Sequence, residues 1–284
     1  MAISMSTNIA ALEAQSSLSG TFLQLNKSIQ KLSTGQKIVM SVDDPAGLAI
    51  SERLKAQIRS LKKAQQNGSD GLSLLQVAEG GMMGLADILL RMRELALQAA
   101  NGTLTQSDRD FLNTEYVELR NEINRISDQT KFNGLSLLNG AIADGVGSLV
   151  LQVGAHKASS DTITIHIANL GVESIANGSS LSVGSIAGIS GQNATNMLSI
   201  LDNAINYVSE ARSQIGAQMS RLQLKIRSLE INEQNITAAN SRIRDVDVAD
   251  ETGNLSRLQI LMQAGVSVLA QANQTNGIIL QLLQ

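Results

Sequence analysis

Six aliphatic residues recur at every seventh position towards the C-terminal end of this chain. They are Leu201, Val208, Ile215, Leu222, Leu229 and Ile236. Two turns of α-helix take up about seven residues, so this period places all six side chains on one face of a helix. We predict a helix over about residues 192–240, on the order of 70 Å long at ~1.5 Å per residue. Other helices must cover so long an apolar stripe, which indicates a helical bundle.

The same spacing marks a helix near the N-terminus, and the end of that helix can also be predicted. Its stripe comprises Leu18, Phe22, Leu25, Ile29 and Leu32. Gly35 follows the last of these residues and is typical of a helix stop. Asp44 can accept bonds from free amides, and Pro45 has the fixed φ that suits the first helical position. Residues 36–43 are therefore predicted to form a loop.

Two further helices are predicted to pack antiparallel to each other. The first is one long helix over residues 44–100, and a break near the glycines Gly80, Gly81 and Gly84 stays open as an alternative. The second spans about residues 107–128 and carries the stripe Leu112, Tyr116, Leu119, Ile123 and Ile126. The predicted fold is mainly α, an elongated antiparallel helical bundle or coiled coil.

A small β-hairpin is predicted within about residues 147–170, where the period changes from seven to two. The apolar positions that alternate along its two strands are Leu149, Leu151 and Val153, then Ile163, Ile165 and Ile167. The Gly- and Ser-rich residues 171–191 carry almost no charge, so we expect them to form a connection.

Composition argues against several classes of function. Aromatic residues make up only 2% of the chain, whereas enzyme pockets usually employ aromatic anchors. The net charge is −3 without a basic stripe, so nucleic-acid binding is not expected. His156 and His166 have no ligand companions at metal spacing, and residues 245–254 do not place Gly and Glu at the positions that a calcium loop requires. We predict no enzymatic activity, metal or cofactor.

Both ends of the chain are apolar and almost uncharged. No charged side chain occurs from Leu258 to Gln284, and Glu13 is the only one from Met1 to Asn26. Their Gln, Asn, Ser and Gly content interrupts every apolar run, so neither end is expected to span a membrane. The N-terminus also lacks the basic and apolar regions of a cleavable signal peptide.

Seven motifs, in this order along the chain, resemble those of bacterial flagellin, the subunit of the flagellar filament. They are IQKLSTGQKI, DDPAGLAISERLKAQIRSL, DGLSLLQVAEG, RMRELALQAANGT, NRISDQTKFNG, SRIRDVDVADET and QAGVSVLAQANQ. The resemblance implies a structural protein that polymerises with itself into an extracellular helical filament used for swimming. It also implies export without a cleavable signal peptide, through the flagellar secretion apparatus.

The resemblance further implies how the chain is divided and which proteins it meets. Residues 1–40 and 245–284 would pair in the filament core, and residues 41–244 would form a rod-like domain with a short variable centre at about 141–191. The expected partners are other copies of the chain, an export chaperone at the C-terminal arm, the hook-junction and cap proteins, and a host Toll-like receptor for flagellin. No membrane partner is expected.

Two groups of site residues follow from these expectations. The filament-core group comprises Ile9, Leu12, Leu18, Phe22, Leu25, Leu258, Leu261, Val268, Leu269, Ile279 and Leu283. The group matching the family's subunit-contact and receptor patch comprises Leu90, Arg91, Glu94, Leu95, Gln98 and Glu115. A single inward stripe of Leu89, Met92, Ala96 and Ala99 predicts that Leu95 is an exposed apolar residue on the outer face.

Three alternatives stay open at this stage. A hook–filament junction protein shares the terminal pattern, although the dense matches in RMRELALQAANGT and QAGVSVLAQANQ favour flagellin. A flagellin with a protease in its centre is disfavoured because the HExxH motif is absent. A secreted membrane-active translocator is disfavoured because no apolar hairpin is long enough.

Overall fold

Five α-helices and two small hairpins make up the described part of the chain. The computed structural model describes residues 8–140, 142, 148–171 and 192–282. The helices are α1 (Ile9–Thr34), α2 (Pro45–Ala99), α3 (Gln106–Gln129), α4 (Gln192–Arg244) and α5 (Val248–Leu282). The strands are β1 (Lys131–Phe132), β2 (Leu135–Ser136), β3 (Ser148–Gln152) and β4 (Thr162–His166), and a 3₁₀ helix spans Ser159–Asp161. The predicted mainly α fold is confirmed.

The chain forms two compact units. One comprises residues 1–58 with 234–284, and the other comprises residues 59–233. The division falls inside the continuous helices α2 and α4, whereas the predicted domain limits lie in the linkers at 40/41 and 244/245.

The unit of residues 59–233 has its core between α2, α3 and α4. The stripe of α4 is buried from Leu201 to Leu229, and Ile236 beyond it is half-buried. Two ion pairs show that α2 and α4 run antiparallel: Lys62 lies 3.5 Å from Glu233, and Arg93 lies 2.6 Å from Asp202. Both helices present apolar residues at seven-residue spacing to the shared core, so the predicted bundle is confirmed.

The predicted long helix is confirmed, because α2 is continuous from Pro45 to Ala99, and the alternative of a break near the glycines is wrong. A glycine inside a helix costs roughly 1 kcal/mol relative to alanine. At Gly81 the small residue is needed for packing, since a Cβ there would lie 2.6 Å from Thr130 Oγ1 and 2.8 Å from Leu138 Cδ1. Tertiary contact therefore outweighs local propensity at this position.

By length and apolar composition alone, α2 would also suffice to cross a membrane. Its apolar residues, however, include the buried core positions Leu75, Met82, Leu85, Leu89 and Met92. The core helix of a water-soluble bundle meets the same criterion.

The turn between α2 and α3 is fixed by side chains at both helix ends. Arg109 is buried and donates from Nε to the Ala99 carbonyl (3.0 Å) and from Nη2 to the Asn101 carbonyl (3.1 Å), which satisfies the end of α2. Thr105 and Asp108 form a reciprocal capping box at the start of α3. These bonds hold α3 antiparallel to α2, as predicted.

A hairpin that the sequence pattern did not reveal follows α3. Strands β1 and β2 pair antiparallel through a two-residue turn in which Asn133 (φ 49°) and Gly134 (φ 81°) are both left-handed. Asn-Gly is the dipeptide that such tight hairpin turns favour. Two-residue strands are too short to show a period in the sequence.

The predicted hairpin at about residues 147–170 is confirmed. Strands β3 and β4 pair antiparallel, with Leu149 opposite Ile165 and Leu151 opposite Ile163. Ile163, Ile165 and Ile167 face the core and are buried. In the connecting loop the His156 amide donates to Asp161 Oδ2 at 2.8 Å. Most of the variable centre, at residues 141, 143–147 and 172–191, lies outside the described residues.

In the unit of residues 1–58 and 234–284, α1 and α5 pair antiparallel. The side chain of Asn8 donates to the Ala272 carbonyl at 3.0 Å near one end of the pair, and Lys31 lies 3.9 Å from Glu251 near the other. Leu25 of α1 and Leu258 of α5 are buried between them. Helix α1 ends at Gly35 (φ 69°), as predicted.

Candidate functional site

Only part of the predicted filament-core group is covered within one chain. Leu25 and Leu258 are buried, and Leu18 and Leu269 are half-buried. A Cβ on Gly265 would lie 3.0 Å from Leu18 Cδ1, so α1 and α5 approach closely there. The remaining described members of the group are exposed: Ile9, Leu12, Phe22, Leu261 and Val268. Ile279 and Leu283 lie outside the residues whose side chains are described.

A charged contact joins α1 to the loop that follows it. Lys27 Nζ lies 2.5 Å from Asp43 Oδ1, and the other carboxylate oxygen accepts from the amides of Val39 (3.2 Å) and Met40 (3.1 Å). The hydrogen bond from Lys27, followed by that from the Met40 amide, lowers the pKa of Asp43 from 3.8 to about 2. The carboxylate therefore stays ionised in all but strongly acidic solution.

Arg244 holds the two linkers of the same unit together. Its guanidinium donates to Gln36 Oε1 at 3.1 Å and to Glu52 Oε1 at 2.5 Å. The adjoining backbones are also bonded, since the Lys37 amide donates to the Arg244 carbonyl at 2.6 Å. These bonds hold the segments that follow α1 and α4 next to each other.

A charged network lies on the surface between α2 and α3. Arg91 donates to Glu115 Oε1 at 2.8 Å and to Glu94 Oε2 at 3.1 Å. These carboxylates, Glu115 first, raise the pKa of Arg91. Leu90, Gln98 and all three charged residues are exposed, so five of the six predicted patch residues lie on the surface.

The predicted exposure of Leu95 is wrong, because only 1% of this residue is accessible to solvent. The prediction assumed a single inward stripe on α2. Helix α2 in fact packs on two sides, against α4 through its seven-residue stripes and against α3 through Gly84, which faces Ile126, and Arg91, which pairs with Glu115. Leu95 follows Arg91 by one helical turn and belongs to the hydrophobic core.

Helix α2 also carries exposed apolar residues in a register of their own, and of these only Leu90 belongs to the predicted patch. Met83 (52% exposed), Leu90 (50%) and Leu97 (58%) stand seven residues apart. A second stripe, Leu224 (64%) and Ile231 (54%), lies on α4 with exposed Ala217 in the same register. A search for a second apolar register outside the buried one would have found both stripes.

The described residues contain no group of three or more His, Cys, Asp or Glu side chains that could hold a metal ion. Asp247, in the acidic segment at 245–254, caps α5 by accepting from the amides of Ala249 (2.9 Å) and Asp250 (3.3 Å). A hollow of about 330 Å³ beside the β3–β4 loop is lined by Ser60, Lys63, His156 and Lys157 among others. The Asp161 carboxylate lies 3.7 Å from His156 Nδ1 and also accepts from the His156 amide, so it helps to shape the loop.

Comparison with known proteins accounts for this combination of paired ends and a helical core. Residues 5–143 match the family described as the bacterial flagellin N-terminal helical region, and residues 198–283 match the bacterial flagellin C-terminal helical region. The chain belongs to the bacterial flagellin family. It is a structural subunit of a flagellar filament.

Relatives within the family match along nearly the whole chain. The chain is 41% identical to a flagellin of Halalkalibacterium halodurans, with 98% of both chains covered. It is 39% identical to a Bacillus subtilis flagellin and 36% identical to a flagellar filament 33 kDa core protein of Treponema phagedenis, again with 98% of each chain covered. The chain thus has the length of these flagellins.

Solved structures agree with the fold. A Bacillus cereus flagellin crystal structure aligns with a TM-score of 0.50 at 33% identity, covering 58% of this chain and 88% of that one. A putative flagellar hook-associated protein from Vibrio parahaemolyticus aligns with a TM-score of 0.60 at 18% identity, covering 72% of this chain and 100% of that one. The second match concerns the fold alone.

Proposed function

We propose that copies of this flagellin assemble through two surfaces. One is the α1–α5 pair of terminal arms, and the other is the α2–α3 patch, which we define as Leu90, Arg91, Glu94, Gln98 and Glu115. The observation that carries the proposal is the exposed apolar surface of the arms, which include Ile9, Leu12, Phe22, Leu261 and Val268. Exposed apolar surface on this scale marks a contact with another protein.

The lack of charge in the arms supports burial between copies. Transfer of a charged side chain from water into an interface costs several kcal/mol unless a partner is present. The segment from Leu258 to Gln284 has no such side chain, so close packing on every side carries no such cost. An open, head-to-tail contact of this kind propagates into a filament.

Seeded elongation tests the arm surface. Purified subunits lacking residues 258–284 should fail to extend filament seeds, while the unit of residues 59–233 keeps its helical circular dichroism. Full-length subunits serve as the control and should elongate. Normal elongation by the truncated subunit would show that the C-terminal arm is dispensable.

A pair of arginine variants tests the α2–α3 patch. Arg91→Ala should slow elongation while monomer stability changes by less than about 0.5 kcal/mol, as is usual for exposed sites. Arg125→Ala is the matched control, because Arg125 is also exposed and also pairs with a glutamate, Glu122, within one helix. Equal elongation rates for the two variants would contradict the patch assignment.

The exposed arm surface also supports a dedicated export chaperone. An uncovered apolar helix invites assembly before export, and a chaperone seated on α5 would prevent it. We expect export without cleavage through the flagellar secretion apparatus, followed by assembly with the hook-junction and cap proteins. Deletion of residues 258–284 should abolish chaperone binding, as measured by calorimetry with the purified chaperone.

A host Toll-like receptor is a further proposed partner of the α2–α3 patch. Arg91 and Glu115 have exposed side chains that are accessible to contact with such a receptor. Buried Leu95 would act by supporting the α2 surface. Receptor binding to monomer should therefore fall for Arg91→Ala and remain unchanged for Arg125→Ala.

The second candidate function is that of a hook–filament junction protein, which shares the terminal sequence pattern; the match to a hook-associated protein at 18% identity shows the shared fold alone. A junction protein occupies one layer and does not extend it. Continued growth of seeds by this chain alone supports the filament subunit, whereas a single added layer would support the junction protein.

A further inference from the structure

Helix α4 carries two apolar stripes on opposite faces. The buried stripe belongs to the seven-residue series and includes Ile215 and Leu222. The exposed stripe comprises Ala217, Leu224 and Ile231. A step of two residues turns a helix by about 200°, so Leu224 points away from the core that buries Leu222. The outer stripe repeats every seven residues over two full intervals, which is the spacing at which one helix packs along another.

Helix α2 carries an outer stripe with the same spacing. It consists of Met83, Leu90 and Leu97. The two outer stripes cannot meet within one chain, because α2 and α4 turn their other faces to the core that they share. Each stripe is therefore without a cover in the described part of a single chain.

The charges beside the two stripes have opposite signs. Arg221 and Arg227 stand three residues before and three after Leu224, so they border the α4 stripe on its two sides. Both arginines are exposed, and neither takes part in an ion pair in the described part of the chain.

Acidic residues border the α2 stripe. Asp87 stands three residues before Leu90, is exposed, and makes no ion pair with any described residue. Glu94 stands four residues after Leu90. The basic residues of this region are already engaged, since Arg91 binds Glu94 and Glu115 while Arg93 binds Asp202. The α2 stripe is therefore bordered by a carboxylate, that of Asp87, which can form an ion pair with an arginine of a partner.

We propose that the α2 outer stripe of one copy packs along the α4 outer stripe of a neighbouring copy, with Asp87 facing Arg221 or Arg227. Equal apolar spacing and opposite charge make the two surfaces complementary. Because the surfaces differ, the contact is heterologous, and a heterologous contact whose rotation does not close into a ring propagates from copy to copy as a filament. This inference rests on the proposed self-assembly and names the counterpart of the α2 surface.

Cross-linking of mixed filaments tests the pairing, and the absence of native cysteine makes it specific. Filaments are grown from an equal mixture of Leu90→Cys and Leu224→Cys subunits and treated with a short bismaleimide. Covalent dimers should form in the mixture and should be at least about tenfold scarcer in filaments of either variant alone. A control mixture of Leu90→Cys with Val150→Cys, an exposed position on β3, should give the same low background.

Charge reversal gives an independent readout. Arg221→Glu and Asp87→Lys should each reduce the rate of seeded elongation by about tenfold or more, because like charges then face each other. The double variant should recover most of the wild-type rate. If cross-links are absent from intact filaments, or if both single variants elongate normally, the pairing is overturned while the filament function stands. Failure of the wild-type subunit to elongate would instead contradict the proposed assembly itself.

Discussion

At the scale of single residues, Leu90 and Leu95 illustrate how the two sides of α2 differ. Both are leucines in the motif RMRELALQAANGT and its preceding turn, yet Leu90 is exposed and Leu95 is buried. Leu95→Ala should lower the free energy of unfolding by about 2–5 kcal/mol, because it opens a cavity. Leu90→Ala should change it by less than about 0.5 kcal/mol. Thermal and urea unfolding of the two variant monomers measures the free energy of unfolding. Equal decreases for Leu95→Ala and Leu90→Ala would contradict the burial of Leu95.

Asp43 gives the unit of residues 1–58 and 234–284 a defined response to acid. Its pKa is about 2 in the folded chain against an ordinary 3.8, so its contribution to stability is complete above about pH 4 and is lost as the pH falls through 2. Asp43→Asn should therefore destabilise the protein near pH 5 and have a progressively smaller effect towards pH 2. Hydrogen exchange of the amides of residues 36–44, compared between wild type and variant, measures this difference. If the destabilisation caused by Asp43→Asn grew as the pH falls, it would contradict the lowered pKa of Asp43.

At the scale of elements, α4 has a buried face and an exposed face, and Leu222 and Leu224, only two positions apart in the sequence, lie on different ones. Leu222→Asp would bury an unpaired carboxylate and should destabilise the bundle by more than about 4 kcal/mol. Leu224→Asp makes the same chemical change on the exposed face, so the monomer should keep its stability while seeded elongation stops. Urea denaturation together with elongation assays distinguishes the two outcomes. A stable Leu222→Asp monomer would show that the seven-residue series is not core.

At the scale of the whole molecule, the arms and the central unit should differ in protection. In free monomer we expect rapid hydrogen exchange at residues 1–40 and 245–284, because the α1–α5 pair buries few side chains. In filaments the same residues should become protected as neighbouring copies cover them. Residues 59–233 serve as the internal reference and should be protected in both states. Equal protection of the arms in dilute monomer and filament would contradict burial between copies.

Most of the helical architecture could be predicted from the sequence, because its causes are local and periodic. The seven-residue series of α4, the left-handed Gly35 and the Asp44–Pro45 start each reflect the geometry of a single helix. The hairpin at about residues 147–170 was predicted because its strands are five residues long and alternate in polarity. The motifs, read in order, also sufficed for the resemblance to flagellin.

Only the tertiary structure decided whether a helix is also buried on a side other than the one that carries its seven-residue apolar stripe. Leu95 is buried because α3 lies against that flank of α2, and no periodicity of α2 itself reports the presence of α3. The same holds for the continuous helix at Gly81, where close packing of Thr130 and Leu138 makes glycine necessary. Contacts such as Arg244 with Gln36, 208 residues apart in the chain, leave no local pattern at all. Periodicity is a property of one backbone, whereas burial depends on what is packed against it.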